Sequence, residues 1–159
     1  MTFLQTRPGA DPVIVEGIFN AAPERVFRAW TEADQVVRWF GARPGSLVSA
    51  EIDLRVGGGW CFVLTDAPEK CVRLEGEYLH VEPARALVFS WRHVEVLGGK
   101  REETRQSRVS LTFRPHGERS THVRLKHEEI RAEDARVGVG TGWDASFTSL
   151  QDLFADETE

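Results

Sequence analysis

The sequence lacks the features that mark membrane, secreted and disulfide-rich proteins. It has only two cysteines among 159 residues, and no apolar run approaches the roughly 18 residues that cross a bilayer. Residues 1–11 include charged residues and a proline, and they lack the apolar centre of a signal peptide. These absences predict a cytoplasmic protein without a membrane partner, in which Cys61 and Cys71 stay reduced.

Lysine is scarce, and charge of neither sign is clustered along the chain apart from the acidic tail at 156–159. There are three lysines and 17 arginines, and the formal net charge is −5. A protein that binds nucleic acid is expected to carry a basic stripe, and no such stripe is visible. We therefore expect no nucleic-acid partner.

Motifs for metal binding, cofactor binding and catalysis are also missing. The histidines are His80, His93, His116, His122 and His127. His122 and His127 lie five residues apart on one predicted strand and therefore point to opposite faces. No cysteine or carboxylate spacing completes a metal set, and the glycine runs at 57–59 and 138–142 lie outside the βαβ unit that a phosphate cradle requires. We expect no metal, no cofactor and no catalytic residue set.

Hydrophobic periodicity predicts an α+β fold. A first strand is expected at about 12–20, followed by a short helix that begins at Pro23 and a second one at about 32–39. The later predicted strands are 47–54, 59–65, 71–81, 86–94, 104–114 and 120–128. Short connections between them imply an antiparallel sheet. We expect a loose leader at 1–11 and a single domain at 12–159, with about seven strands curved around a long C-terminal helix.

Four stretches of the sequence occur in a specific order. They are AAPERVFRAWTEADQVVRWFG at 21–41, RVGGGWCFVL at 55–64, GEYLHVEPARALVFSW at 76–91 and GWDASFTSLQDL at 142–153. The series resembles the START-like helix-grip superfamily. Within it, the series is most similar to bacterial homologues of the C-terminal domain of the heat-shock-protein ATPase activator. The resemblance covers about 20–155 and implies a helix-grip fold with an internal cavity.

The run of glycines before the last helix departs from the usual pattern of that family. Gly138, Gly140 and Gly142 precede an apolar stripe that begins at Trp143. Each glycine costs a helix interior about 1 kcal/mol relative to alanine. We therefore predict that the helix starts late, near Gly142, or is kinked there, with Thr141 as its N-cap.

Aromatic residues exceed the need of a minimal core, with five tryptophans and nine phenylalanines. Many come from the elements predicted to enclose a space between sheet and helix, although the same rings can also simply fill it. The candidate ligand-binding residues are Trp39, Phe40, Trp60, Phe62, Tyr78, Trp91, Phe113, His127, Trp143 and Phe147. Tyr78 and His127 are the polar members, since a buried phenol or imidazole needs a partner.

Three functions stay open at this point. The first is binding of a hydrophobic or amphipathic small molecule in an internal cavity, without catalysis. The second is a co-chaperone interaction that stimulates a heat-shock ATPase, which the resemblance alone implies. The third is a polyketide cyclase-like enzyme with His127 or Tyr78 as acid or base, and it is the least favoured because no catalytic motif supports it.

Overall fold

A computed structural model describes residues 3–41 and 46–157 of the chain. Residues 1–2 of the predicted leader and residues 42–45 and 158–159 of the predicted domain lie outside this range. The strands are β1 (Leu4–Gln5), β2 (Val13–Phe19), β3 (Ser49–Ile52), β4 (Gly59–Ala67), β5 (Lys70–Glu82), β6 (Ala86–Leu97), β7 (Lys100–Glu103), β8 (Ser107–His116) and β9 (Ser120–Glu128). The helices are α1 (Pro23–Thr31), α2 (Ala33–Trp39) and α3 (Glu133–Glu157).

The strands form one antiparallel sheet in the order β1-β2-β9-β8-β6-β5-β4-β3, and β7 pairs with β6. The predicted α+β class and helix-grip arrangement are confirmed. The described residues contain nine strands where about seven were expected. The strands without a predicted counterpart are β1, which has two residues, and β7, which consists of four charged residues and therefore shows no apolar alternation.

The sheet departs from regular pairing at the centre of its β4–β5–β6 region. The register shifts between Val63 and Thr65 and again between Tyr78 and His80. Gly76 lies so close to the backbone of Ser90 that a Cβ at this position would collide with the carbonyl oxygen. Irregularities of this kind increase the local twist and bend a strand.

Helix α3 is continuous from Glu133 to Glu157, so the predicted late start near Gly142 is wrong. The predicted cap is wrong as well, because the Thr141 hydroxyl donates to the Val137 carbonyl, at 3.0 Å, inside the helix. The predicted apolar stripe is confirmed, since Trp143, Phe147, Leu150 and Phe154 are all buried. Burial of this stripe outweighs the local cost of the glycines, as tertiary packing commonly does.

The N-terminal segment is packed onto the domain. The Phe3 ring is 7% exposed and lies 5.8 Å from the Phe19 ring and 5.5 Å from the Phe147 ring, measured between centroids. It occupies the space above Gly17, where a Cβ would lie 2.5 Å from the Phe3 ring. Further along, the Arg136 guanidinium donates to the Gly9 carbonyl at 2.7 Å. Residues from the predicted leader therefore contribute to the core.

We expect Gly17→Ala to destabilise the protein because the new methyl group displaces the Phe3 ring. Overpacking of this kind typically costs about 1–3 kcal/mol in the free energy of unfolding. In a Phe3→Ala background the space is open, and the same substitution is expected to be neutral or stabilising, since alanine restricts the unfolded chain more than glycine does. Urea unfolding of both single variants and the double variant measures the coupling. Equal costs in the two backgrounds would show that Phe3 does not occupy this position.

Candidate functional site

Aromatic side chains fill nearly all of the space enclosed between the sheet and the helices. The enclosed pocket has a volume of about 10 Å³, which is room for about one water molecule. Ring centroids around it lie as close as 4.6 Å for Trp30 and Trp39 and 4.8 Å for Trp60 and Phe62. The interior is therefore close-packed, as protein cores generally are. Within the described residues, this pocket is too small for an organic ligand.

A much larger space opens between the sheet and the N-terminal half of α3. This groove has a volume of about 750 Å³, within the range of about 300–1,000 Å³ that is typical of small-molecule sites. Its wall is mostly apolar. The large apolar residues of the wall are Phe40, Leu64, Leu74, Trp91, Ile130, Val139 and Trp143. The loop that precedes β8 and the loop that follows β9 complete the wall, so the groove lies at one end of the β8–β9 pair.

Two glycines of α3 keep the groove open. Gly138 and Gly142 lie four residues apart on one side of the helix and belong to the groove wall. A Cβ at either position would meet no atom within 4 Å. Gly140 lies on another side, where a Cβ would lie 3.6 Å from Cγ1 of Val13 in β2. The glycines at 138 and 142 therefore leave free space where other residues would narrow the groove.

A hydrogen-bond chain holds the inner wall of the groove together. The Trp143 indole Nε1–H donates to His127 Nδ1 at 3.1 Å, and His127 Nε2 lies 2.7 Å from the Ser107 hydroxyl. Because an indole can only donate, Nδ1 must be the unprotonated nitrogen and Nε2 carries the proton. His127 thus donates to Ser107, whose hydroxyl donates onward to the Trp91 carbonyl at 3.4 Å. The chain links β6, β8, β9 and α3.

His127 is held as a neutral imidazole by this environment. Its side chain is fully buried, and burial lowers its pKa to about 3. Both ring nitrogens are engaged within the protein. The Ser107 hydroxyl accepts a hydrogen bond from the imidazole, whereas a serine nucleophile donates to its histidine base. The arrangement is therefore suited to holding Trp143 and Ser107 in place rather than to taking a proton from a substrate.

The family model for activator of Hsp90 ATPase homolog 1-like protein matches residues 20–155. The chain belongs to this family. With the α+β helix-grip fold described above, family membership places the chain in the START-like superfamily. No curated protein matches the chain.

Solved structures of similar fold cover most or nearly all of the chain. CalU16 from Micromonospora echinospora is 25% identical, with a TM-score of 0.68, over 99% of this chain and 89% of that one. Protein MLL2253 from Mesorhizobium loti is also 25% identical, with a TM-score of 0.71, over 93% and 98% of the two chains. An HSP90 activator from Plasmodium falciparum is 24% identical, with a TM-score of 0.58, over 77% and 76%. At 24% identity, this last likeness bears on the fold alone.

In this family member the predicted ligand-binding residues lie in three places, and Phe40, Trp91 and Trp143 border both the enclosed pocket and the groove. Those that line the small enclosed pocket are Trp39, Phe40, Trp60, Phe62, Tyr78, Trp91 and Trp143. Those that line the groove are Phe40, Trp91, His127 and Trp143. Phe113 packs on Phe27 at 5.5 Å, and Phe147 packs against both Phe3 and Phe19. These two residues lie in the core and line neither space. The buried Tyr78 lines the enclosed pocket, and burial raises the pKa of its phenol.

Much of the groove wall was absent from the residues proposed from the sequence. The missed parts include Leu64 and Leu74 of the sheet, the loops around Arg105 and Ile130, and most of the α3 residues that line the groove, which are Ala135, Gly138, Val139, Gly142, Ala145 and Ser146. The four-residue spacing of Gly138 and Gly142 was the available signal, because it places two glycines on the same helix face. It was interpreted as a helix boundary instead, since glycine is unfavourable in helices.

Three further observations concern the cysteines, metal sites and membrane-spanning helices. Cys61 and Cys71 are free thiols. The described residues contain no group of three or more His, Cys, Asp or Glu side chains that could hold a metal ion. None of the helices in the described ranges is both long enough and apolar enough to cross a membrane.

Proposed function

We propose that this protein binds a hydrophobic or amphipathic small molecule, without catalysis, in the open groove between α3 and the sheet. The observation that carries the proposal is the groove itself, with its volume of about 750 Å³ and its mostly apolar wall. A concave apolar surface of this size is more often a ligand-binding site than a surface without a function. The proposal places the ligand in the groove because the enclosed pocket is nearly filled.

The arrangement of polar groups supports binding over catalysis. The buried polar side chains of the groove wall are His127, Ser107 and Ser146. His127 and Ser107 hydrogen-bond to each other, and the Ser146 hydroxyl accepts a hydrogen bond from the Gly41 N–H at 3.1 Å. A cyclase-like reaction with His127 as a base would require a ring nitrogen that is free to accept a proton from the substrate. Trp143 already donates to the unprotonated nitrogen.

Stimulation of a heat-shock ATPase stays a prediction of the family resemblance. The family name and the likeness in fold to an HSP90 activator are its support. Fold likeness alone is weak support for a shared function, and none of the described contacts identifies a chaperone-binding surface. Small-molecule binding is therefore the function that the geometry favours.

A ligand panel tests the proposal directly. The panel contains fatty acids, sterols and aromatic polyketides, and binding is measured by thermal shift and by quenching of tryptophan fluorescence. A ligand present at a hundredfold its Kd is expected to stabilise the folded state by about 2.7 kcal/mol. Quenching is expected because Trp91 and Trp143 line the groove. A panel that changes neither the unfolding temperature nor the emission would contradict the proposal.

A further inference from the structure

The charged side chains of the groove wall lie at the end of the β8–β9 pair. The pairing of these strands ends with Arg108 opposite Glu128. The segments 104–107 and 129–132 therefore leave the same end of the sheet, one entering β8 and the other leaving β9. Arg105, Glu129 and Arg131 all belong to the groove wall, and all three are exposed. They form the mouth of the groove.

The mouth has an excess of positive charge. The Glu129 carboxylate lies 4.0 Å from the Arg108 guanidinium, which also binds Glu128 at 2.7 Å. Arg105 and Arg131 make no ion pair with any residue that the structure describes. The formal net charge of the chain is −5, so this local sign runs against that of the whole molecule. An anion at the mouth would meet two arginines that have no ion-pair partner among the described residues, while the Glu129 carboxylate lies beside Arg108.

We propose that the groove takes an amphipathic carboxylate, with its carboxylate at Arg105 and Arg131 and its apolar body along Val139, Trp143 and Trp91. This inference rests on the function proposed above and names the ligand class. Guanidinium groups match the planar, two-oxygen geometry of a carboxylate. At the exposed mouth the carboxylate keeps part of its hydration, so its desolvation costs less than in the interior. The apolar body of the ligand meanwhile moves out of water and onto the aromatic wall of the groove.

Two matched pairs of compounds test the inference by isothermal titration calorimetry. Decanoic acid is compared with decan-1-ol, and 1-naphthaleneacetic acid with 1-naphthaleneacetamide, so the members of each pair differ in charge and share an apolar body. The acid is expected to bind roughly fivefold to tenfold more tightly, because each exposed ion pair contributes modestly. This preference is expected to shrink as salt is raised, since exposed charges are screened.

A double variant with a matched control assigns the preference to the mouth. Arg105→Gln with Arg131→Gln is expected to remove the preference for the acids and leave the affinity for the uncharged compounds unchanged. Arg114→Gln with Arg119→Gln changes the net charge equally at exposed positions towards the other end of the β8–β9 pair, and it is expected to keep the preference. The inference would be overturned if the acids bind no better than their uncharged partners, or if the preference survives Arg105→Gln with Arg131→Gln. Either result would leave the proposed function standing. If no compound of either pair binds, and the panel also gives no ligand, the proposed function fails and this inference fails with it.

Discussion

Replacing Gly142 with leucine is expected to abolish most ligand binding while making the protein more stable. Gly142 is exposed and borders the groove, and a Cβ there would meet no atom of a neighbouring element within 4 Å, so a leucine has room to extend over the groove. Groups that differ by a single methylene change affinity in an apolar site by about tenfold to two-hundredfold, so a leucine that occupies the site is expected to weaken binding at least that much. Leucine also favours the helical state over glycine by somewhat under 1 kcal/mol.

The opposite signs of the two effects make this experiment decisive. Thermal unfolding measures stability, and calorimetry with the most stabilising compound of the ligand panel measures affinity. Gly140→Ala is the control, because it removes a helix glycine on a side that faces β2. It is expected to raise stability and to leave affinity unchanged. A Gly142→Leu protein that is folded and binds as well as the wild type would show that the ligand does not use this groove.

Acidification is expected to destabilise the protein through His127 already at pH values where carboxylates are still ionised. The pKa of His127 is about 3 in the folded state, against 6.5 for an unperturbed histidine. Between these values the unfolded chain binds a proton that the folded chain does not, so the free energy of unfolding falls as the pH falls. The slope approaches about 1.4 kcal/mol per pH unit, which amounts to roughly 3 kcal/mol between pH 6.5 and pH 4. Above pH 6.5 this loss of stability is absent, because the proton binds to neither the folded nor the unfolded chain.

His127→Gln is expected to flatten the stability profile between pH 6.5 and pH 5. Glutamine does not titrate and retains a donor and an acceptor. His116→Gln, at an exposed position, is the control and is expected to keep the wild-type profile. Urea unfolding at several pH values measures all three proteins. An unchanged slope in the His127 variant would assign the acid sensitivity to other groups.

Carboxylates contribute to acid sensitivity at lower pH. The pKa of Glu128 is lowered chiefly by a hydrogen bond from Lys126, and the pKa of Glu157 chiefly by one from Arg25. Their stabilising effect is present above the ordinary carboxyl pKa of about 4.5 and is lost as the pH falls below it. The window between pH 6.5 and pH 5 therefore separates the effect of His127 from that of these two carboxylates.

The strands that alternate clearly in the sequence were predictable, and the others were not. β8 and β9 bury every second residue, such as Val109, Leu111 and Val123, because one face of the sheet packs on the core. β7 has no such pattern, since its four charged residues are all exposed and pair only with β6. β1 depends on the burial of Phe3 over Gly17, a contact across about fourteen residues that no local pattern reveals.

The candidate site was predicted only in part, because residue type indicates burial and does not indicate where packing is incomplete. Trp39 and Trp60 look like pocket residues in the sequence, yet both contact neighbouring rings in a filled interior. The open space lies beside glycines and alanines of α3, whose contribution is the volume that they leave empty. This volume depends on the distance between the helix and the sheet, and no local pattern in the sequence indicates that distance.

The chain of hydrogen bonds from Trp143 through His127 and Ser107 to Trp91 joins four elements through protein contacts alone. Because these side chains are already ordered, a guest loses little affinity to the conformational entropy of fixing them. Association then requires diffusion into the mouth and little rearrangement of the wall. The rate constant for association should therefore be similar for guests of different shape, and their residence times should account for most of the differences in affinity.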